Sequence, residues 1–312
     1  MSIGCQTHGK DGGTMEWKSK KVAAILEAAL LEDKAMQDIT TALTVGAEVR
    51  ASATVITRQE CVIAGLGAII ATFDVFNHML TQSGRKSAGR FEVVSHAEIF
   101  DGVRVKSGKT IAVIRHNARA ILSCERVILN LLQRMSGIAT LTNDFVKETK
   151  GTKAKVLDTR KTIPGLRVLD KYAVCCGGGQ NHRQDLQDGI LIKSSHIALA
   201  GGITLAIELA LKGKKAGQIV EIEVRSIAEV EEAMDAGAEA LLLVEMTPSQ
   251  VAKAVKTARA KSPKVKLEAA DHLSLDTVRD YAATGVDFVS VGALTRSAMA
   301  ADISMRITSE VY

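Results

Sequence analysis

The sequence predicts a mixed α/β protein in two parts: a first third that is α+β with antiparallel pairing, and a longer remainder built as a parallel α/β barrel. Three observations predict this. From about residue 118 onward, apolar strand-like runs alternate with helical ones, and that alternation calls for a parallel sheet. The runs are continuous rather than alternating, as strands covered on both faces are. Most of them end in polar or charged residues, which suits a ring with a working carboxyl rim better than an open sheet with a single switch point.

The elements follow in order. Residues 1–16 read as a polar, Gly-rich, disordered leader. Residues 17–31 carry Val22, Ile25, Leu26, Ala29 and Leu30 at helical spacing. Residues 51–56 and 62–64 read as short strands, and 65–80 as a helix. Residues 91–94, 96–100 and 110–115 read as strands, with turns at Asp101-Gly102 and Ser107-Gly108. These make a first domain over 17–125. Residues 118–149 form a long helical tract, with Gly137 a candidate break. The second domain, 126–299, holds strand runs at 154–157, 190–193, 219–224, 240–244, 265–269 and 286–291. Helical patterns at 166–174, 203–211, 227–236, 248–260 and 275–284 lie between them.

Composition narrows the function. Apolar residues make up 46% and charged residues 24% of the 312, as in ordinary globular domains. Aromatics at 3% are too few for stacking single-stranded nucleic acid, and a net charge of +5 suits small anions rather than DNA. No nucleic-acid or membrane partner is expected. The five cysteines are odd in number and form no CxxC pair, so a reducing cytoplasm is the expected compartment and a zinc site is not expected. No run is long enough to cross a membrane, and the N-terminus lacks an apolar signal core.

The chemistry-bearing residues sit at the strand ends. Arg160, Lys161, Arg183 and Lys193 would face one pocket, where clustered cations call for an anion. Arginine forks grip carboxylates and phosphates bidentately. His182 adds a donor that can be cationic near neutral pH. The glycines before Asn181, His182 and Arg183 allow close backbone approach. Glu221 and Glu223, two apart on one strand, share a side. Two readings of them stand level: a hard metal such as Mg2+, or pairing with nearby cations. His196 reads equally as a base or as a backbone partner. Cys175 and Cys176 read as small buried residues.

These segments resemble the quinolinate phosphoribosyltransferase family: QDITT from Gln37, ARAILSCERVILNLLQRMSGIATLT from Ala118, DTRKTIPGLRVLDKYAV from Asp158, GGGQNHR from Gly177, LIK from Leu191, VEIEV from Val220 and TGVDFVSVGALTRS from Thr284. The resemblance implies an N-terminal α/β sandwich, an incomplete α/β barrel, and a C-terminal segment, about 300–312, packed back on the first domain. It also implies a homodimer or larger homo-oligomer. The implied reaction joins quinolinate to phosphoribosyl pyrophosphate and releases pyrophosphate and CO2, giving nicotinate mononucleotide for NAD biosynthesis, with Mg2+ as cofactor. By motif match, Lys161, Lys193 and Glu223 would be catalytic, with Glu223 also a metal or ribose ligand. Arg160, His182, Arg183, Lys193 and His196 would bind substrate. Ser290, Gly292 and Ala293 would help hold phosphate, and Arg126 would reach into the partner's pocket.

Three departures from the family pattern fall at strand ends. Lys193-Ser194-Ser195-His196 stands for Lys-Asp-Asn-His, Leu243-Val244-Glu245-Met246 for Leu-Asp-Asn-Met, and Ala269-Ala270-Asp271-His272 for Ala-Ser-Gly-Gly. Ser194 and Val244 each remove a carboxylate. Ala270, Asp271 and His272 remove a close backbone approach and add negative charge beside a phosphate. These changes should weaken phosphoribosyl pyrophosphate binding and put the Mg2+ requirement in question, while leaving the quinolinate cations intact. Three functions therefore stay open. One is the transferase, active or impaired. Another is a pocket reworked naturally or by engineering, with Glu245, Asp271 and His272 doing hydrolysis or proton abstraction beside the Ser194 or Ser195 hydroxyl. The third is binding alone.

Overall fold

The computed structural model describes residues 15–271 and 273–309. The chain divides into two compact units. One takes residues 15–141, Ile163–Gly177 and residues 298–309; the other takes Thr142–Thr162 and Gly178–Ser297. The division falls inside the long helix rather than at residue 125, because most of that helix packs within the first unit.

In the first unit, the helix Lys20–Glu32 buries Val22, Leu26 and Leu30, spaced four apart, and Ser19 caps it by accepting from the Val22 amide. Strand β1 (Arg50–Thr57) alternates half-buried and buried residues, as its RASATVIT pattern dictates. β2 (Cys61–Val62), the helix Gly67–Gln82 and β3 (Glu92–Val94) follow, then β4 (Arg104–Val105), which pairs with β2, and β5 (Thr110–Asn117), which pairs with β1 and β3. Residues 96–100, expected as a strand, form a turn in which the Ile99 amide donates to the His96 carbonyl at 2.9 Å. Ile99 is buried but Phe100 is exposed, so the apolar pair never gains a second covered face.

The helix Ala118–Glu148 runs unbroken through Gly137. A Cβ at position 137 would lie 2.0 Å from the Met299 carbonyl, so the glycine serves close backbone passage rather than a kink. Arg134 donates Nε and Nη2 to the buried Asp170 carboxylate at 2.8 and 2.7 Å, a fork that holds Ile163–Gly177 to this helix.

The second unit holds β6 (Lys155–Leu157), β7 (Ile190–Ile192), β8 (Val220–Val224), β9 (Ala240–Leu243), β10 (Lys266–Ala269) and β11 (Phe288–Ser290). They form a parallel six-stranded sheet in the order β6-β11-β10-β9-β8-β7. Ile222, Leu241, Leu267 and Val289, one on each of four neighbouring strands, are fully buried. Truncating one to alanine would cost about 2–5 kcal/mol. Crossover helices start on explicit caps: Ser226 accepts from Glu229, and Thr247 with Gln250 forms a capping box ahead of Pro248. Among the described residues no ladder joins β6 to β7. Gln180 instead bridges to Leu157 beside β6, so the ring is incomplete.

The last described strand, β12 (Ile303–Ser309), returns to the first unit and pairs antiparallel with β1, giving the order β12-β1-β5-β3. Among the described residues no single helix is long and apolar enough to cross a membrane.

Candidate functional site

The carboxyl ends of the parallel strands meet at a cavity of about 310 Å³. Its lining comes from every strand: Thr159, Arg160 and Lys161 after β6, His182 and Arg183 from the following loop, Leu191 and Lys193 at β7, Glu223 on β8, Leu242 and Val244 at β9, Glu268, Ala270 and Asp271 at β10, and Ser290 on β11. A smaller cavity of about 230 Å³ shares Thr159, Lys161, Ala270, Asp271 and Ser290 and extends to Gly292, Ala293 and Arg296. The bare Gly292 backbone leaves room for the Lys161 stem, since a Cβ there would sit 2.9 Å from Lys161 Cδ.

One wall is cationic. The buried Asp158 carboxylate accepts from the His182 amide at 2.8 Å, and the Asp158 amide donates to the Gln180 carbonyl at 3.1 Å. These bonds lay the Gly177–Arg183 segment alongside β6 and aim His182 and Arg183 into the cavity. Arg183 donates Nη1 to the Gly189 carbonyl at 2.9 Å. The Nε groups of Arg160 and Arg183 are buried and have no hydrogen-bond partner. Burial, then the neighbouring Arg160 charge, pushes the Arg183 guanidinium below its usual range. A buried donor left unpaired costs about 1–3 kcal/mol, more when charged, so two of them on one wall mark an anion site.

Behind that wall, His182 Nε2 lies 3.3 Å from Glu221 Oε2 and 3.5 Å from Glu268 Oε2. Burial alone would lower the imidazole; the Glu268, Glu221 and Asp158 carboxylates outweigh it and raise it to about 9. Burial, with Glu221 beside it, pushes the Glu268 carboxyl up to about 7. The Arg183 amide donates to His182 Nδ1 at 2.7 Å, so in this geometry the ring carries one proton, on Nε2 against the carboxylates, and taking up a second proton at Nδ1 gives up that bond. The three ligand-type atoms lie within 4.8 Å of one another, the spacing of a metal site, but a protonated Nε2 offers no lone pair. With His182 and Glu268 both raised, the cluster can store a proton near neutral pH.

The opposite wall neutralises itself. Glu223 Oε1 accepts from Arg225 Nη2 at 2.9 Å, and Arg225 Nε lies 3.7 Å from Glu245 Oε2. Val244 is buried and apolar. Glu245 and Asp271 hold left-handed backbone, φ 55° and 73°, which non-glycine residues adopt at a cost.

Residues 138–306 match the family model described as quinolinate phosphoribosyl transferase, C-terminal domain, and residues 38–136 match its N-terminal domain. The chain belongs to the quinolinate phosphoribosyltransferase family. A relative from Mycobacterium leprae, named nicotinate-nucleotide pyrophosphorylase [carboxylating], is 38% identical over 268 residues, covering 86% of this chain and 90% of its own. One from Bacillus subtilis, named probable nicotinate-nucleotide pyrophosphorylase [carboxylating], is 36% identical and covers 91% and 92%. The crystal structure of NadC from Streptococcus pyogenes superposes with a TM-score of 0.86 at 33% identity, covering 96% of this chain and all of that one.

Within this phosphoribosyltransferase fold, the expected residues divide. Arg160, Lys161, His182, Arg183, Lys193, Glu223 and Ser290 line the main cavity, with Val244, Ala270 and Asp271; Gly292 and Ala293 line the smaller one. His196 does not line either cavity: its Nδ1 accepts from the Lys193 amide at 3.0 Å and caps the short helix Ser194–Ala200. Ser194 and Ser195 open that helix, exposed, and line neither cavity. Glu245 is exposed and turned to Arg225, because adjacent residues at a strand end face opposite ways. His272 lies outside the described residues. No hydrogen bond joins the described members of the hydroxyl–imidazole–carboxylate set. Arg126 lies in the other unit, exposed, lining a separate cavity of about 680 Å³ with Glu32, Asp33, Ile163 and Pro164. Cys175 and Cys176 are half-buried, and burial with Asp101 nearby pushes Cys176 up to about 12, which makes it inert.

Sequence reasoning missed Glu268 and Arg225. The first was visible as a lone carboxylate in the apolar run KLEA, and the second as a cation directly after VEIEV.

Proposed function

We propose that the chain joins quinolinate to phosphoribosyl pyrophosphate, releasing pyrophosphate and CO2 and forming nicotinate mononucleotide for NAD biosynthesis. The observation that carries this reading is the pair of unpartnered, buried guanidinium Nε groups, Arg160 and Arg183, on a wall that also offers Lys161 and Lys193. A dicarboxylate supplies the acceptors that wall lacks. Family membership and the relatives' printed names support the same reading.

Held by both carboxylates, the pyridine ring is oriented with its nitrogen toward the ribose anomeric carbon, and pre-alignment lowers the barrier. Bond breaking to pyrophosphate builds positive charge on the ribose, which the Glu223 and Asp271 carboxylates offset. The new N–C bond leaves a pyridinium. Its charge stabilises the electron pair left on the ring carbon as CO2 departs. The His182–Glu268 proton store lines the same cavity and holds a proton to give that carbon. Ser194, Ser195 and His196 take no part.

The Mg2+ expected from the resemblance fits these residues poorly. Glu223 is engaged by Arg225, Val244 offers no ligand, Glu268 lies 3.5 Å from His182, and Asp271, the remaining carboxylate of the cavity, is a single ligand. A dimer in which Arg126 serves the partner's cavity, in a reducing cytoplasm, completes the proposal; the exposed guanidinium and the thiols of Cys61 and Cys124 are in keeping with it.

The test incubates the full chain with quinolinate and phosphoribosyl pyrophosphate and follows nicotinate mononucleotide by chromatography. Formation of product, lost in Arg183→Ala, supports the reading; absence of product from folded protein that still binds quinolinate overturns it.

A further inference from the structure

We propose that Arg225 takes the place of a divalent cation on the ribosyl side of the cavity, so that this chain binds its phosphoribosyl substrate without metal. The inference rests on the transferase reading above and concerns how its second substrate is held.

A metal in such a site does two things. It gathers carboxylates around a positive centre, and it presents that centre to ribose hydroxyls and phosphate oxygens. Here a guanidinium already gathers them. Arg225 Nη2 donates to Glu223 Oε1 at 2.9 Å, and Arg225 Nε sits 3.7 Å from Glu245 Oε2. Arginine carries five N–H donors. Contacts to Glu223 and Glu245 leave donors over for oxygen atoms of a ligand. A guanidinium is also more weakly hydrated than an ammonium or a divalent ion, so it is uncovered at smaller cost.

The surroundings fit this role. Glu223 lines the cavity, which places the Arg225–Glu223 pair at its edge. The Arg225 backbone is fixed separately, its amide donating to the Glu229 carboxylate at 2.7 Å. The next strand end presents the buried, apolar Val244, so a second cavity carboxylate for a metal is absent from that position. A divalent ion at Glu223 would have to displace Arg225 or lie against its charge, and either is unfavourable. Carboxylate and guanidinium together match a ribose diol, whose hydroxyls donate to the one and accept from the other.

The test titrates phosphoribosyl pyrophosphate into the full chain by calorimetry, once in EDTA and once in Mg2+. The wild type is expected to bind with affinities within about threefold in the two buffers, a difference below 1 kcal/mol. Arg225→Ala is expected to lose roughly tenfold or more in EDTA, the worth of one charge-assisted hydrogen bond, and to recover when Mg2+ reaches the freed Glu223. Arg225→Lys, which keeps the charge but not the fork, is expected to fall between them, and circular dichroism confirms that each variant is folded. Wild-type binding that requires Mg2+, or an Arg225→Ala variant that binds normally in EDTA, overturns the proposal. No binding of phosphoribosyl pyrophosphate in either buffer overturns the transferase reading with it.

Discussion

The two walls of the cavity handle charge in opposite ways. On the β6 and β7 side, Arg160, Lys161, Arg183 and Lys193 all line the cavity, and two guanidinium Nε groups are buried without a partner. On the β8 to β10 side, Glu223 is matched by Arg225 and Glu268 lies against His182, while Asp271 has no ion pair among the described residues. Both walls are built from strand ends of one sheet and face the same space. The difference teaches where the ligand's own charge is needed. A buried donor left unpaired is tolerated where an anion arrives to meet it, and a paired group needs less from outside.

The largest test of that contrast removes one of the two guanidinium groups with an unpaired Nε. Arg183→Ala is expected to weaken quinolinate about a hundredfold, in line with 2–5 kcal/mol for a desolvated charge contact, and to change phosphoribosyl pyrophosphate binding little. Calorimetry on both ligands reads the two walls separately, and equal losses on both would break the contrast.

The proton store gives the next effect. His182 is raised from 6.5 to about 9 and Glu268 from 4.5 to about 7. Both folded values lie above the unfolded ones, so their stabilisation is complete below the unfolded values. It is lost as pH rises through about 7 and then about 9. Melting temperature should fall by roughly 2–4 °C for each kcal/mol lost across that span, and Glu268→Gln should flatten the lower step. A melting curve indifferent to pH from 6 to 9 would contradict the shared proton.

Asp271→Gly comes third. It relieves a left-handed backbone at φ 73° and removes a negative charge from both cavities, so it should stabilise the fold by about 1 kcal/mol and tighten phosphoribosyl pyrophosphate severalfold. Thermal melting and calorimetry check the two parts independently. The smallest effect is expected from Ser194→Ala and Ser195→Ala. Their hydroxyls are exposed and line neither cavity, so affinity for either ligand should stay within about twofold.

Much of this was legible in the chain, for reasons that are local. The parallel strands show as apolar runs because both their faces are covered, and the cations show because they follow those runs directly. What escaped depends on partners far away in sequence. Nothing near His182 announces that it meets Glu221 and Glu268 from two other strands. Gly137 looked like a helix break because the Met299 carbonyl that needs its bareness lies over a hundred and fifty residues on. Residues 96–100 carry a strand's alternation, yet the ladder to β2 went to Arg104–Val105 instead. His196 read equally as a base or as a backbone partner, and the Lys193 amide makes it a cap.

The unjoined edge of the sheet has a mechanical consequence. Arg160 follows β6 and Lys193 follows β7, the two strands that no ladder connects among the described residues. A dianion gripped by both would act as a clasp across the seam, replacing missing backbone bonds with ionic ones. Amides of Ile190–Ile192 and the loop before them should then exchange with deuterium quickly in the free protein and slow when quinolinate is added. The buried amides of β9 should not respond.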